Sequence, residues 1–172
     1  MFLKKKSNTF GKRTACSPSS PDEERQALKN KAIYLLARRE HSRQELILKL
    51  KQKGFNAEAI PSVLDELEDE GLLNEQRFIG SFIRSRRTRG FGPLKICAEL
   101  KIHGIDRHLW LTNEEWQEEL WQNSATMICA KRFSLVAENT AEEKMRLSRY
   151  LQQRGFTSQQ IKIALSEDWN NQ

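Results

Sequence analysis

The chain has 172 residues and a formal net charge of +6, with almost a third of its residues charged, which suits one medium domain or a few small modules of a soluble, basic protein. Its three cysteines, Cys16, Cys97 and Cys129, lie far apart with no CxxC and no histidine at ligand spacing, which argues against a disulfide framework or a zinc site and for a reducing compartment. No apolar region follows the basic residues of Met1 to Lys6, and no run of about 18 apolar residues occurs, so the sequence predicts a cytoplasmic protein without a membrane span.

Residues 1–19 are polar and basic, with Lys4, Lys5 and Lys6 in a row and no apolar period. They read as a disordered basic arm. Ser20-Pro21-Asp22-Glu23 then joins an N-cap serine, a first-turn proline and a capping-box glutamate. It predicts a helix to about Arg39 that buries Leu28, Ile33, Leu35 and Leu36. Ser42-Arg43-Gln44-Glu45 is a second capping box, and its helix stops at Gly54. The next helix turns Val63, Leu64 and Leu67 inward and Asp65, Glu66, Glu68, Asp69 and Glu70 largely outward. Pro61 allows two starts for it: near Pro61 itself, or after a separate turn formed by Ala57 to Ile60.

Asn74 is a good N-cap for a helix whose apolar residues Phe78, Ile79, Phe82 and Ile83 share one face. Gly90 ends that helix. Gly92 and Pro93 supply the cap and first residue of the following one, while Phe91 and Ile96 stand at the spacing of a hydrophobic staple. Gly90, Phe91, Gly92 and Pro93 thus form a specified structural corner. Asp106 to Leu111 gives a short third element. Thr112-Asn113-Glu114-Glu115 reads as a capping box introducing a helix through Trp116, Leu120, Met127 and Ile128. Thr140-Ala141-Glu142-Glu143 opens a helix that ends at Gly155, and Thr157-Ser158-Gln159-Gln160 opens the last.

A leucine, three residues, a glycine and an apolar residue recur at Leu50 to Phe55, Leu67 to Leu72, Leu100 to Ile105 and Leu151 to Phe156. The pattern is that of a Schellman helix end, with a left-handed glycine and an apolar contact across it. At Gly90 the leucine position holds Arg86 instead, on the face of Phe78 and Phe82. That placement suits an interface residue. It equally suits a helix that outruns its core and stacks Arg86 on Phe91.

Gly54, Gly104 and Gly155 are spaced by 50 and 51 residues in equivalent places of a three-helix pattern. No period-two run is present. The expected fold is therefore all-α: three tandem three-helix repeats, 20–73, 74–111 and 112–172, stacked as a short, elongated, curved solenoid.

Charge is banded along this fold. Six basic and two acidic residues lie between Arg38 and Lys53, seven acidic and no basic residues between Glu58 and Glu75, and eight basic and two acidic between Arg77 and Arg107. Basic bands attract phosphate or an acidic partner surface, and they also neutralise the acidic helix between them. Arg84, Arg86, Arg87 and Arg89 beside Lys95 form the strongest candidate binding surface, because guanidinium groups stay charged and contact phosphate or carboxylate bidentately.

Catalytic chemistry is not evident. His41, His103 and His108 lack neighbouring nucleophiles, and there is no phosphate loop, HExxH or GxSxG motif. Trp110, Trp116, Trp121 and Trp169 are read as core residues in preference to base-stacking platforms. No catalytic residue, metal or cofactor is assigned.

The segments LLARREHSRQELILKLKQKGF and GLLNEQRFIGSFIRSRRTRGFGPLKICAELKIHGI resemble the RecX regulatory proteins of bacteria. Arg77-Phe78, Ser81-Phe82, Arg84, Arg86, Gly90, Gly92-Pro93, Glu99-Leu100 and Gly104 carry the resemblance, which is close from Ala27 to Ile105. It is looser from Asp106 onward, where Tyr150-Leu151 and Arg154-Gly155-Phe156 still fit. The resemblance implies a non-enzymatic protein of three three-helix repeats, and an unpaired solenoid of this size is expected as a monomer. It also implies binding to the RecA-single-stranded DNA filament and, in most members, inhibition of its ATPase, strand exchange and coprotease functions. Contact with single- or double-stranded DNA is a further implied partner. From the residues alone, an autonomous nucleic-acid-binding module is the alternative, since short helix pairs at a tight turn also dock on DNA.

Overall fold

The computed structural model describes residues 20–133 and 140–166. The basic arm and Trp169 lie outside them. Among the described residues the secondary structure is helical throughout: α1 (Pro21–Leu36), α2 (Arg43–Gln52), α3 (Ala59–Asp69), α4 (Glu75–Thr88), α5 (Pro93–Ile102), α6 (Arg107–Leu111), α7 (Glu118–Phe133), α8 (Ala141–Arg154) and α9 (Ser158–Ser166).

Local chemistry sets most of these bounds. The side chains of Ser20, Ser42, Asn74 and Thr140 accept from the amides of Glu23, Glu45, Arg77 and Glu143, each three residues on. Thr157 and Gln160 bond reciprocally, side chain to amide in both directions, as a full capping box. All five Schellman ends form. Gly54, Gly71, Gly90, Gly104 and Gly155 have positive φ, and the amides of Phe55, Leu72, Phe91, Ile105 and Phe156 donate back to the carbonyls of Leu50, Leu67, Arg86, Leu100 and Leu151.

Two expectations need adjustment. The first helix ends at Leu36, short of Arg39, because beyond the small Ala37 residues 38–40 are all charged and offer nothing to bury; the chain turns instead, delivering His41 and Ser42 to buried positions. Within α1 the fully buried residues are Leu28 and Ala32, with Ile33, Leu35 and Leu36 packed at the margin. Of the two starts open to the third helix, the one near Pro61 is found: α3 begins at Ala59, which puts the proline in the first turn where its missing N–H has no helical acceptor.

The second adjustment is at Thr112-Asn113-Glu114-Glu115, which caps no helix. Thr112 is the last residue of the α6 turn, with helical φ −90° and ψ −3° where an N-cap is extended, and its hydroxyl turns back to donate to the carbonyls of His108 and Leu109. Asn113 accepts from the amide of Glu115, and α7 starts only at Glu118.

Three separate apolar clusters run along the chain. The first is built on Leu28, Leu46, Leu50, Ile60, Leu64 and Leu67 from α1 to α3. The second gathers Phe78, Ile79, Ile83, Ile96, Leu100 and Trp110, and it is closed by Trp121 from α7. The third gathers Ala125, Cys129, Leu147, Leu151, Phe156 and Ile161. A row of small cores, one per three-helix unit, is the physical signature of a repeat architecture. Helix α7 belongs to two of them, since its first turns close the second core and its later turns build the third.

Trp110 and Trp121 are buried at 2% and 1% exposure, and Trp116 packs edge-on against Trp121 with ring centroids 5.1 Å apart. These three tryptophans are core residues. The acidic face of α3 is largely neutralised within its own unit: Arg43 meets Asp65 at 2.6 Å and Glu68 at 2.9 Å, Lys29 meets Glu70 at 2.6 Å, and Arg25 pairs with Glu66.

Candidate functional site

The α4–α5 corner carries every residue of the candidate surface. Asn74 starts α4, its side chain accepting from the Arg77 amide, and the i, i+4 spacing of Phe78, Phe82 and Arg86 sets them in one line along the helix. His103 sets its edge against Phe78 and Phe82, with centroids 5.4 and 5.2 Å away. Arg86 continues the line. Its guanidinium lies 5.0 Å from the Phe82 ring and 5.8 Å from the Phe91 ring, and its Nε is 2.6 Å from Glu99 Oε2. The charge in a leucine position is thus met by two aromatic faces and a carboxylate from α5. Its backbone carbonyl accepts from Phe91 in the Schellman turn, as leucine carbonyls do elsewhere in the chain.

Arg84 and Arg87 share one partner. Arg84 Nη1 donates to Glu115 Oε1 at 2.7 Å, and Arg87 Nη2 donates to Glu115 Oε2 at 2.9 Å. Arg87 also lies over the Trp121 ring at 5.9 Å, so its face of α4 is covered by α7. Asn113 fixes Glu115 in place: its Nδ2 donates to the Gln76 carbonyl at 3.0 Å and to Gln76 Oε1 at 2.8 Å, while its Oδ1 receives the Glu115 amide. Burial on its own would raise the Glu115 carboxyl, but hydrogen bonds from Arg84 and Arg87 outweigh it and hold the group below the usual carboxylate range. Glu115 is therefore charged across the physiological range.

Arg89 and Lys95 differ from these three. Both are exposed, and neither pairs with a carboxylate among the described residues. Lys95 Nζ sits 4.9 Å from the Phe91 centroid. The corner brings all five cations to one end of the α4–α5 pair, where Glu99 and Glu115 neutralise two of the five charges.

The corner does more than join two helices. The Gly92 amide donates to the carbonyl of Arg154 at 2.8 Å, and the Leu94 amide donates to the carbonyl of Gly155 at 2.9 Å. Gly92 has an ordinary φ of −89°. Glycine is required there by contact, because a Cβ would come within 2.5 Å of the Gly155 backbone. The corner is thus the joint between the second and third helical units.

Sequence reasoning missed the roles of Glu115 and Arg132, and it named Tyr150 and Arg154 only within the family resemblance, with no place at the corner. Glu115 was hidden in an apparent capping box. Arg132 lies 3.8 Å and Arg154 5.0 Å from the Tyr150 ring, and Arg154 lies 5.0 Å from Phe91. Nothing local connects α8 to the corner, apart from the repeated Schellman glycine. Arg77 entered the sequence reading only through the family resemblance, with no partner assigned. It pairs with Glu40 at 2.8 Å and donates to the carbonyls of Gly71 and Leu72, tying the second unit to the first.

Cys97 is half-buried and Cys129 buried. Burial pushes the Cys97 thiol up, away from thiolate chemistry at neutral pH. Among the described residues no group of three or more His, Cys, Asp or Glu is placed to hold a metal ion, and no helix is long and apolar enough to cross a membrane.

Three family models match in series: "RecX, first three-helix domain" over residues 29–67, the second over 74–110 and the third over 118–165. The regulatory protein RecX of Chromohalobacter salexigens is 39% identical over 140 residues, spanning 81% of this chain and 91% of that one. That of Halorhodospira halophila is 38% identical over 139 residues, spanning 81% and 86%. The crystal structure of RecX from Lactobacillus salivarius superposes with a TM-score of 0.70 at 19% identity, covering 84% of this chain and 96% of that one.

Proposed function

The chain belongs to the RecX family of regulatory proteins, and from that premise we propose that it binds the RecA-single-stranded DNA filament and restrains RecA's ATPase, strand-exchange and coprotease activities. It acts without catalysis, as a cytoplasmic monomer, through an electrostatic surface on a rigid frame. The contact surface is the α4–α5 corner: Arg84, Arg86, Arg87, Arg89 and Lys95 supply the cations, and Gly90, Phe91, Gly92 and Pro93 hold their geometry.

One observation carries this reading. Five cations sit at one corner against two glutamates, and that corner is locked by backbone hydrogen bonds to the next helical unit. A preorganised cationic surface loses little entropy on meeting an anionic partner. Arg84 and Arg87 exchange the Glu115 carboxylate for a partner's anion, whereas Arg89 and Lys95 engage it directly.

The test is the single-stranded-DNA-dependent ATPase rate of preformed RecA filaments during titration with this protein, with its affinity for the same DNA lacking RecA measured in parallel. A fall in ATPase at concentrations too low to coat bare DNA is expected. No change in ATPase would overturn the reading, and tight binding to naked DNA in that case would leave a nucleic-acid-binding module in its place.

A further inference from the structure

On the side of α5 turned away from the arginine corner lies a groove that the filament surface does not use. At 100° per residue, Leu94, Cys97, Ala98 and Lys101 point roughly 150° away from Glu99, the partner of Arg86. Together with Leu111 of α6 and Trp116 of the α6–α7 connection they line a volume of about 530 Å³. Its wall on α5 runs from Pro93 to Lys101, which is roughly 12 Å, or two helical turns.

The rim is apolar where a surface helix is ordinarily polar. Leu94, Ala98 and Ile102 recur every fourth residue in one exposed stripe of α5, with Leu94 58% and Ile102 77% exposed, and Leu111 beside them is 45% exposed. The buried face of α5 is Pro93, Ile96 and Leu100, so the stripe is surplus to the core. Ala98, between two larger side chains, leaves a notch in it. Contiguous exposed apolar side chains at the edge of a groove mark a surface on which another chain packs.

Charge selects that chain. Lys101 of α5 and Arg107 of α6 also belong to the lining, both exposed, and neither pairs with a carboxylate among the described residues. Two acids nearby are engaged elsewhere: Glu118 accepts from Gln160 Nε2 at 2.8 Å, and Asp106 accepts from the His108 amide as the cap of α6. A segment that offers apolar side chains along one face and carboxylates beside them meets both features. The two-turn length and the four-residue spacing fit a helix, whose side chains seat between Leu94 and Ile102 over Ala98. A nucleic-acid strand would lay its phosphates against Leu94, Ile102 and Leu111, which gain nothing from them. Helix α3 of a second copy does not fit either, because its carboxylates are largely paired and its apolar face is buried within its own unit.

We propose that this groove is a docking site for an acidic amphipathic helix of a partner protein, seated on Leu94, Ala98 and Ile102 with its carboxylates against Lys101 and Arg107. The site is separate from the arginine corner and does not rest on the filament reading.

The experiment measures, by fluorescence anisotropy and with no RecA present, binding of the full chain to a labelled peptide of about 20 residues, long enough to hold a helix. The peptide carries leucines at i, i+4, i+7 and i+11 and glutamates on both flanks of that face. Ala98→Glu sets a like charge in the notch at an exposed helical position and should weaken binding about tenfold. Lys101→Gln combined with Arg107→Gln should weaken it about fivefold. The charge-matched pair Arg89→Gln and Lys95→Gln, at the corner, should leave it within about twofold. Peptides with lysine for glutamate, or serine for leucine, should each bind about tenfold more weakly than the parent. Equal losses from the two charge pairs would show diffuse attraction and overturn the site, as would affinity unmoved by Ala98→Glu or no binding at all. Undiminished affinity for the lysine or the serine peptide would overturn the assigned partner chemistry. A dimer in sedimentation that Ala98→Glu dissolves and the peptide does not displace would overturn it in favour of an interface between copies. Should Ala98→Glu fail to fold, Ile102→Ser tests the same stripe from a largely exposed side chain and should weaken binding about fivefold. Because RecA is absent, failure here leaves the ATPase titration to stand or fall by itself.

Discussion

The Gly92 amide reaches the Arg154 carbonyl at 2.8 Å, so the start of α5 is capped by the end of α8 and not by a side chain of its own. The Leu94 amide does the same with Gly155 at 2.9 Å. Amides left over at one helix start and carbonyls left over at another helix end satisfy each other, with the positive end of one dipole against the negative end of the other. The two helices come from different units, and the contact fixes the angle between them.

Gly92→Ala should therefore destabilise the chain by contact alone. Its φ is ordinary, but the new Cβ would fall 2.5 Å from Gly155 backbone atoms, an overpacking worth about 1–3 kcal/mol. Gly54→Ala makes the complementary case. Its φ is +86° with nothing within 4 Å of the added methyl, so only the left-handed backbone opposes it, at about 1–2 kcal/mol. Urea unfolding midpoints measure both. The two differ in a second readout: Gly92→Ala should also weaken filament inhibition, whereas Gly54→Ala, remote from the joint, should leave it intact.

Glu115→Gln should strengthen anion binding while slightly weakening the fold. The carboxylate holds Arg84 and Arg87 at 2.7 and 2.9 Å, and a partly exposed pair of this kind contributes at most about 1 kcal/mol. Removing the competing charge lowers the half-inhibitory concentration in the RecA ATPase titration by up to about fivefold. A higher half-inhibitory concentration would show that Glu115 positions the arginines and does not mask them.

What the sequence made legible was local. The Schellman ends follow from a glycine four residues after a leucine, and Ser20, Ser42, Asn74, Thr140 and Thr157 cap amides three residues away. Thr112 has the same local pattern, yet α6 runs up to it and leaves its backbone helical where an N-cap is extended. The site was half legible for the same reason. Its cations are contiguous on α4 and α5, but Glu115 lies 31 residues beyond Arg84 and Arg154 lies 65 beyond Arg89. Only packing of the third unit on the second brings those partners in.

Arg86→Met and Arg86→Glu should part company. Methionine restores an apolar residue between Phe82 and Phe91 and removes the ion pair with Glu99, a change near neutral for stability because the pair is partly exposed. Glutamate sets two carboxylates against each other at the same place and costs more than the lost pair. Thermal unfolding should rank wild type and Arg86→Met together, with Arg86→Glu below. Arg86→Met is thus the cleaner probe of function. If it leaves filament inhibition unchanged, Arg86 is a structural residue of the corner.

Acid should destabilise the first unit in two steps. His41 is buried at 2% exposure with Nδ1 3.0 Å from Glu45 Oε2. Burial lowers its pKa below the ordinary 6.5, outweighing the opposing pull of Glu45. The unfolded chain then takes up the proton first, so stability present above about pH 6.5 is lost as the pH falls through the lowered value. Glu45 follows. Burial alone would raise it, but hydrogen bonds from Arg39, Lys49 and His41 bring it down to about 2 from 4.5. Its contribution is present above about pH 4.5 and is lost on the way to about pH 2, roughly 1–2 kcal/mol once solvent screening around the exposed Arg39 is allowed for. Urea midpoints should fall from about pH 7.5 to 5.5 and again from about pH 5 to 3, and His41→Gln should flatten the first step while leaving the second. A midpoint that rises between about pH 7.5 and 5.5 would mean that the Glu45 carboxylate prevails over burial and holds His41 charged.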